Sequence, residues 1–323
     1  MHLVRIMKAV GALLLGCALS AHAAAAEKYP TKPIRIVVPY PPGGGTDMLA
    51  RAVAEKLTQR LGAQVIVDNR PGAGTNIGIG LVANGTPDGY TLLLASVPLA
   101  INPSLYENLP WDPKELEPLT LVASSPLVLV AHPSVKANNI RELIDLAKTS
   151  PGKLNFSSIG SGTSSHLSGE LLKVMTGIDI VHIPYKGSAP ALTALLGAQV
   201  QLMFSTMIAG MPHIQSGRLK ALGVSSQKRA EVLPKVGAIA ETVPGFETIV
   251  WYGFLVPAKT PKLLLTKLHT EIAASLTQSD VVQRFKSEGA DIIANRPEEF
   301  GRFLANERVK WAKVVKQSGA KVD

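Results

Sequence analysis

The chain predicts an α/β fold of two lobes, with two mostly parallel sheets flanked by helices and joined by two crossing strands. Three observations carry that expectation. Strand-like and helical patterns alternate through most of the 323 residues, as they do where parallel sheets are covered on both faces. Roughly three hundred residues exceed one typical hydrophobic core, which favours two lobes. Two extended stretches, Leu116–His132 and Thr248–Val256, interrupt the alternation and bracket a self-contained block.

The first strand is the β-branched run Ile34–Tyr40, which enters the turn Pro41-Pro42-Gly43-Gly44-Gly45-Thr46-Asp47. A helix follows to Leu61, with Leu49, Val53, Leu57 and Leu61 on one side. Val65–Asp68 and Thr91–Ala95 read as strands around a helix at Asn76–Ala83. Leu116–His132 is extended, with Ser124-Ser125-Pro126 in its middle. Its second half, Leu127–Ala131, and the strands Leu154–Ser157, Ile180–Tyr185, Val200–Phe204 and Leu219–Val224 beyond it alternate with helices. These helices are Ile140–Thr149, Ser165–Met175, Ala189–Leu196 and Ile208–Ser216. Thr248–Val256, carrying Trp251, Tyr252 and Phe254, then returns the chain to the first lobe.

The C-terminal stretch fits that return. Thr260-Pro261 is expected to cap and start a helix with Leu264, Leu265, Leu268, Ile272 and Leu276 inward. Ser279–Glu288 is a second helix, Ala290–Ala294 a short strand, and Pro297–Gln317 a long last helix burying Phe300, Leu304, Trp311 and Val315. The expected boundaries are a leader at 1–26, a first lobe from 27–125 with 248–323, and a second lobe at 126–247. The two crossings form a hinge, and a ligand cleft lies between the lobes, beyond the carboxyl ends of the strands.

The leader has a basic start (His2, Arg5, Lys8), an apolar stretch Ala9–Leu19 and small-x-small cleavage sites ending at Ala23 or Ala26. It reads as an export signal, placing the product in the bacterial periplasm. A lipoprotein site at Leu14-Leu15-Gly16-Cys17 is the competing reading. Cys17 is the only cysteine, so no internal disulfide can form. The formal net charge is +9, two of it in the leader. Dispersed basic residues and an aromatic content of 5% exclude a nucleic-acid surface. A monomer is expected.

Four strand-to-helix turns share one chemistry: small residues that let a ligand approach backbone N–H groups, and a Ser, Thr or Asn that caps or donates. The first turn offers Pro42, Gly43, Gly44, Gly45, Thr46 and Asp47. The second offers Gly74, Thr75 and Asn76, and the third Gly160, Ser161, Gly162, Thr163, Ser164, Ser165 and His166. The fourth offers Tyr185, Lys186, Gly187 and Ser188. Ser96, at a strand end, is a further lining candidate. Helix starts attract anions, so the turns can cradle a carboxylate or phosphate; any one of them can equally be a tight turn that binds nothing. Asp47 would repel such a guest and suits a first-turn helix acid. Lys186 can pair with a distal carboxylate or stay solvated. Trp251 and Tyr252 read first as hinge packing and second as a ligand wall.

Motifs for other chemistries are missing. There is no Walker phosphate loop, no Gly-x-Ser-x-Gly elbow and no His-Glu-x-x-His. Gly72-x-Gly74-x-x-x-Gly78 misses the dinucleotide spacing by one residue. Histidines at 132, 166, 182, 213 and 269 are scattered, so no metal and no cofactor is expected. A hydrolase built on Ser165 and His166 is the rival reading, weakened because adjacent residues on a helix do not face each other. A third reading keeps the binding and replaces transport with sensing.

The residues also match a family. Tyr29-Pro30-x-Lys32-Pro33 through Gly43-Gly44-Gly45-Thr46-Asp47, Val67-Asp68-Asn69-Arg70-Pro71-Gly72-Ala73-Gly74, Pro87-Asp88-Gly89-Tyr90-Thr91-Leu92-Leu93, Tyr185-Lys186-Gly187 and Val250-Trp251-Tyr252-Gly253 resemble the Bug (TctC-like) extracytoplasmic solute receptors of tripartite tricarboxylate transporters. The resemblance runs from Tyr29 to the final helix. It implies a type II-like, two-lobed periplasmic binding protein, not an enzyme, closing over a small organic acid and delivering it to membrane transporter subunits. It further implies a carboxylate clamp from Pro42–Thr46 and Gly160–Ser165, with Tyr185–Ser188 closing the site.

Overall fold

Two sheets share one long strand. The computed structural model describes residues 29–287 and 289–320, and the side chains of Arg284 and Ser287 are left aside. The expected leader, its cleavage sites and Cys17 lie outside the described residues. The chain divides into Met1–Lys32 and a compact unit, Pro33–Asp323, and all that follows concerns the compact unit.

In chain order its elements are β1 (Ile34–Val38), α1 (Gly45–Leu61), β2 (Val65–Asn69), α2 (Asn76–Ala83), β3 (Thr91–Ser96), α3 (Pro98–Leu105) and β4 (Leu116–Ala131). There follow α4 (Ile140–Thr149), β5 (Leu154–Ser158), α5 (Ser164–Thr176), β6 (Ile180–Pro184), α6 (Ser188–Leu196), β7 (Leu202–Thr206), α7 (Met207–Gln215) and β8 (Lys220–Val224). The chain ends through β9 (Ile249–Pro257), α8 (Lys262–Leu276), α9 (Ser279–Ser287), β10 (Asp291–Ile292) and α10 (Pro297–Ser318). No helix among the described residues is long and apolar enough to cross a membrane.

The first sheet runs β2-β1-β3-β9-β4, with β10 on β4 at Ala123 and Ser124. In the second, Leu127–Ala131 of β4 lies between β7 and β8, and β5 and β6 continue beyond β7. Pairing is parallel among β1, β2 and β3 and among β5, β6 and β7. The mostly parallel pairing expected from the alternation stops at the crossing strands. β9 is antiparallel to both β3 and β4, and β4 is antiparallel to β7 and β8. The reason is directional: β4 leaves the first sheet and β9 comes back beside it, so the two run oppositely from Leu116–Pro257 to Pro126–Ile249.

Each sheet has its own core. Around the first, Leu99, Ile101, Trp111, Trp251, Phe300 and Trp311 belong to one buried cluster. Around the second, Val128, Val130, Leu195, Met203, Met207 and Val224 form another. Helix α3 has no counterpart in the sequence-based expectations. Asn102-Pro103 reads as a turn signal, yet burial of Leu99, Ile101 and Leu105 holds the segment helical through Pro103. Thr260 does not cap α8. Its hydroxyl donates to Pro257 O, and Pro261 takes the N-cap position.

Candidate functional site

Four helices begin around one cavity of about 190 Å³. α1 starts behind Gly44, which is extended (φ −86°, ψ 170°) and gives no side-chain cap. α6 starts behind Gly187, again uncapped. α5 and α7 start behind Thr163 and Thr206, whose hydroxyls accept from the amides of His166 and Ala209. Gly43, Gly44, Gly45 and Thr46 line one side; Ser164, Thr206 and the segment Lys186-Gly187-Ser188 line the other. First-turn amides have no partner inside their helix, and each helix start carries a partial positive charge. Lys186 is the only charged residue in the lining, and no carboxylate belongs to it. The cavity is built for an anion.

Two glycines make the close approach possible. A Cβ on Gly45 would lie 3.2 Å from both Ile208 Cδ1 and the Tyr252 hydroxyl. Gly187 adopts φ +112°, and a Cβ there would lie 3.6 Å from Pro41 Cγ, so turns from the two sheets face each other here. Behind the α1 turn, Tyr40, Ser96 and Tyr252 bring hydroxyls to the same wall. Ser96 pairs with Tyr252 across β3 and β9 and hydrogen-bonds Tyr40. Burial, with Tyr252 beside it, pushes the Tyr40 phenol above its ordinary range, which keeps it neutral at any working pH.

The sequence-predicted residues separate into three groups. Pro42, Gly43, Gly44, Gly45, Thr46, Ser96, Ser164, Lys186, Gly187 and Ser188 share this cavity. Gly74, Thr75, Gly160, Ser161, Thr163 and Tyr185 instead line an adjoining space, together with Lys186 and Gly187. Asp47, Asn76, Gly162, Ser165 and His166 line neither.

These five hold the loops in shape. The Asp47 carboxylate accepts from Gly43 N (2.9 Å), from Arg51 Nε and Nη2 (3.0 and 2.9 Å) and from Asn69 Nδ2 (3.0 Å). Burial acts to raise its pKa, but those hydrogen bonds outweigh it and hold the group below its usual range. It is a fastener of the turn. Asn76 Oδ1 accepts from Asn102 Nδ2 (2.9 Å) and Trp111 Nε1 (2.8 Å), which anchors the second turn from below. Ser165 donates to Phe204 O at 2.6 Å, and His166 Nδ1 accepts from Gly162 N at 3.1 Å. Each group of the rival Ser–His pair is therefore engaged elsewhere. Among the described residues no group of His, Cys, Asp and Glu could hold a metal ion.

Thr206, Tyr40, Val250 and Tyr252 were missed as lining residues or ranked behind packing. A usable signal was present for one of them. Consecutive strand residues point to opposite faces, so an inward Trp251 sends Tyr252 to the cleft.

The His166 bond implies a pH dependence. His166 stacks on His182 with ring centroids 3.9 Å apart. Burial, then mutual proximity and Lys173, pushes His166 down to about 3; burial and Lys173 push His182 down to about 4. Both are neutral when folded, whereas the unfolded chain takes protons near pH 6.5. The stability they contribute is complete above pH 6.5 and is lost as pH falls toward 4 and 3. Each histidine adds a slope of about 1.4 kcal/mol per pH unit in that window. Denaturant unfolding between pH 7 and 4.5 is expected to show a shallower loss in His166→Gln than in the unmodified protein. Parallel curves would refute the assignment.

The TctC pattern, described as tripartite tricarboxylate transporter family receptor, matches residues 49–320. Protein BugT of Bordetella pertussis is 38% identical over 326 residues, covering 100% of both chains. Rpa4515 of R. palustris, solved with adipate, superposes with a TM-score of 0.87 at 34% identity, over 91% of this chain and 100% of that one. The periplasmic binding protein BugD superposes with a TM-score of 0.85 at 37% identity and the same coverage. Matched over most of its length by both sequence pattern and backbone, the chain belongs to the tripartite tricarboxylate transporter receptor family.

Proposed function

We propose that this receptor captures a small carboxylated ligand in the periplasm, closes its two lobes over it and delivers it to a membrane transporter. The lobes are 27–125 with 248–323, and 126–247, moving about the β4 and β9 crossings. The observation that carries the reading is the convergence of four helix starts, from both sheets, on a cavity lined by no acidic side chain. Each helix start favours an anion by roughly 0.3–1 kcal/mol, and more when partly buried. Amides of Gly44–Thr46, Ser164 and Ser188 would hold the carboxylate, with the Tyr40, Ser96 and Tyr252 hydroxyls beside it.

Closure follows from differential affinity. A ligand bridging both halves stabilises the closed state only by the contacts that the open state lacks. No covalent step is assigned to this chain, since the Ser165 hydroxyl and His166 Nδ1 are committed to backbone partners.

A thermal-unfolding screen of mono-, di- and tricarboxylates, each paired with its amide, tests the reading. An acid at 100 times its dissociation constant is expected to add about 2.7 kcal/mol of stability, and its amide far less. Equal stabilisation by amide and acid would overturn the anion site.

A further inference from the structure

The crossing strands have a second cavity behind them. Val250 lines the anion cavity, and Ile249, the residue before it on β9, lines a space of about 300 Å³. Consecutive strand residues point to opposite faces, so β9 separates the two. The rear space lies between the proposed lobes. Ser125 of β4 floors it, and Glu231 and Val232, in the segment after β8, bound it from the second lobe. Lys286 and Gly289, at the corner after α9, bound it from the first.

The lobes touch along this space in two unlike ways. Deep inside, Gly289 packs on the second core: a Cβ there would lie 3.0 Å from Val232 Cγ2 and 3.1 Å from Met207 Cγ. Its carbonyl accepts from Ser125 Oγ at 2.9 Å, which ties the corner to the crossing strand. Met207 is the fully buried first residue of α7, next to Thr206 of the anion cavity. At the outer rim, Lys286 Nζ stands 3.5 Å from Glu231 Oε2, with side chains 73% and 84% exposed. A pair that exposed contributes little, so the rim has a contact but no lock. In front of the anion cavity the lobes already meet, since a Cβ on Gly187 would lie 3.6 Å from Pro41 Cγ.

Two bodies that turn about an axis between such points part on one side as they approach on the other. We infer that the rear space is a counter-cleft, which narrows as the ligand cleft opens, with Gly289 against Met207 as the pivot. Whatever holds its rim apart then favours the closed receptor, and whatever draws the rim together favours the open one. This rests on the lobe-closure reading above and adds a place, remote from the ligand, where closure is controlled.

The test is the variant Glu231→Cys/Lys286→Cys, bridged across the rim in two ways. Cys17→Ser removes the one native thiol. A direct disulfide holds its Cα atoms within about 6.8 Å and draws the rim together; a rigid aromatic bis-maleimide props it apart. Small-angle scattering of the unliganded proteins is expected to give a larger radius of gyration for the disulfide form than for the propped form. Of succinate, adipate and citrate, whichever binds the reduced variant is expected to bind the disulfide form at least tenfold more weakly, and reduction to restore it. Equal radii for the two bridged forms, a larger radius for the propped form, or a disulfide that does not form under oxidation would overturn the counter-cleft while leaving lobe closure standing. An acid that binds the unmodified protein without reducing its radius would overturn lobe closure, and the counter-cleft with it.

Discussion

Replacing Gly44 with aspartate is expected to cost the receptor at least a hundredfold in affinity for any carboxylate, while its unliganded form melts no lower than before. The two halves of that result have one cause. Gly44 sits at φ −86°, ψ 170°, a conformation open to every L residue, and a Cβ there meets nothing within 4 Å. The position is the N-cap of α1 and has no side-chain cap. Aspartate is a preferred N-cap, worth a few tenths of a kcal/mol over glycine at that position. Its carboxylate would take the α1 amides for itself and place a fixed negative charge beside the cavity. A second carboxylate must then enter a site already neutralised and repulsive. Gly44→Ala, which adds the Cβ alone, is expected to change affinity by less than threefold. Calorimetric titration of both variants with an acid that stabilises the unmodified protein provides the check. Undiminished binding by Gly44→Asp would remove the α1 turn from the site.

Much of this site was legible in the sequence because its chemistry is main-chain chemistry. Glycine runs between a β-branched strand and an amphipathic helix report where amides lie bare, and three of the four glycine turns yielded residues of one cavity. Local patterns do not carry distance across the molecule, however. The turn at Gly74–Asn76 has the same composition as the others, yet it lines the adjoining space through Gly74 and Thr75 and buries Asn76 against Trp111. His166 and Ser165 look like chemistry in one dimension and are loop fasteners in three, because their partners, Gly162 N and Phe204 O, depend on the turn and on β7. Thr206 ends β7 without any glycine, so nothing in its neighbours marks it as a lining residue. The fold was legible for a similar reason: alternation, and its interruption at Leu116–His132 and Thr248–Val256, is a local signal of a non-local crossing. Antiparallel pairing at those crossings was not, since strand direction is set by which neighbours the sheet supplies.

Trp251→Ala is expected to destabilise the protein by about 3–5 kcal/mol, the range for emptying a fully buried aromatic site. Trp251 is 0% exposed and packs edge-on against Phe300 and Phe303, with centroids 5.9 and 5.7 Å away. Its Nε1 donates to Glu307 Oε2 at 2.9 Å, the same oxygen that accepts from Trp311 Nε1 at 2.8 Å. Loss of the indole thus empties the core under β9 and removes one donor from a buried carboxylate, which costs more than a lost hydrogen bond between exposed groups. Trp251→Phe keeps most of the ring and is expected to cost about 1–3 kcal/mol, chiefly because the buried Glu307 oxygen loses one of its two indole donors and keeps Trp311 Nε1. The neighbouring position gives the contrast. Tyr252 follows on the same strand, buried but lining the cavity, so Tyr252→Phe is expected to cost about 0.5–1.5 kcal/mol of denaturant stability for its lost hydroxyl and to lower ligand affinity as well. One strand would then carry stability alone on one face and recognition on the other. Denaturant unfolding and titration of the three variants measure both effects; a Tyr252→Phe protein destabilised as much as Trp251→Phe, with unchanged affinity, would place Tyr252 in the core and out of the site.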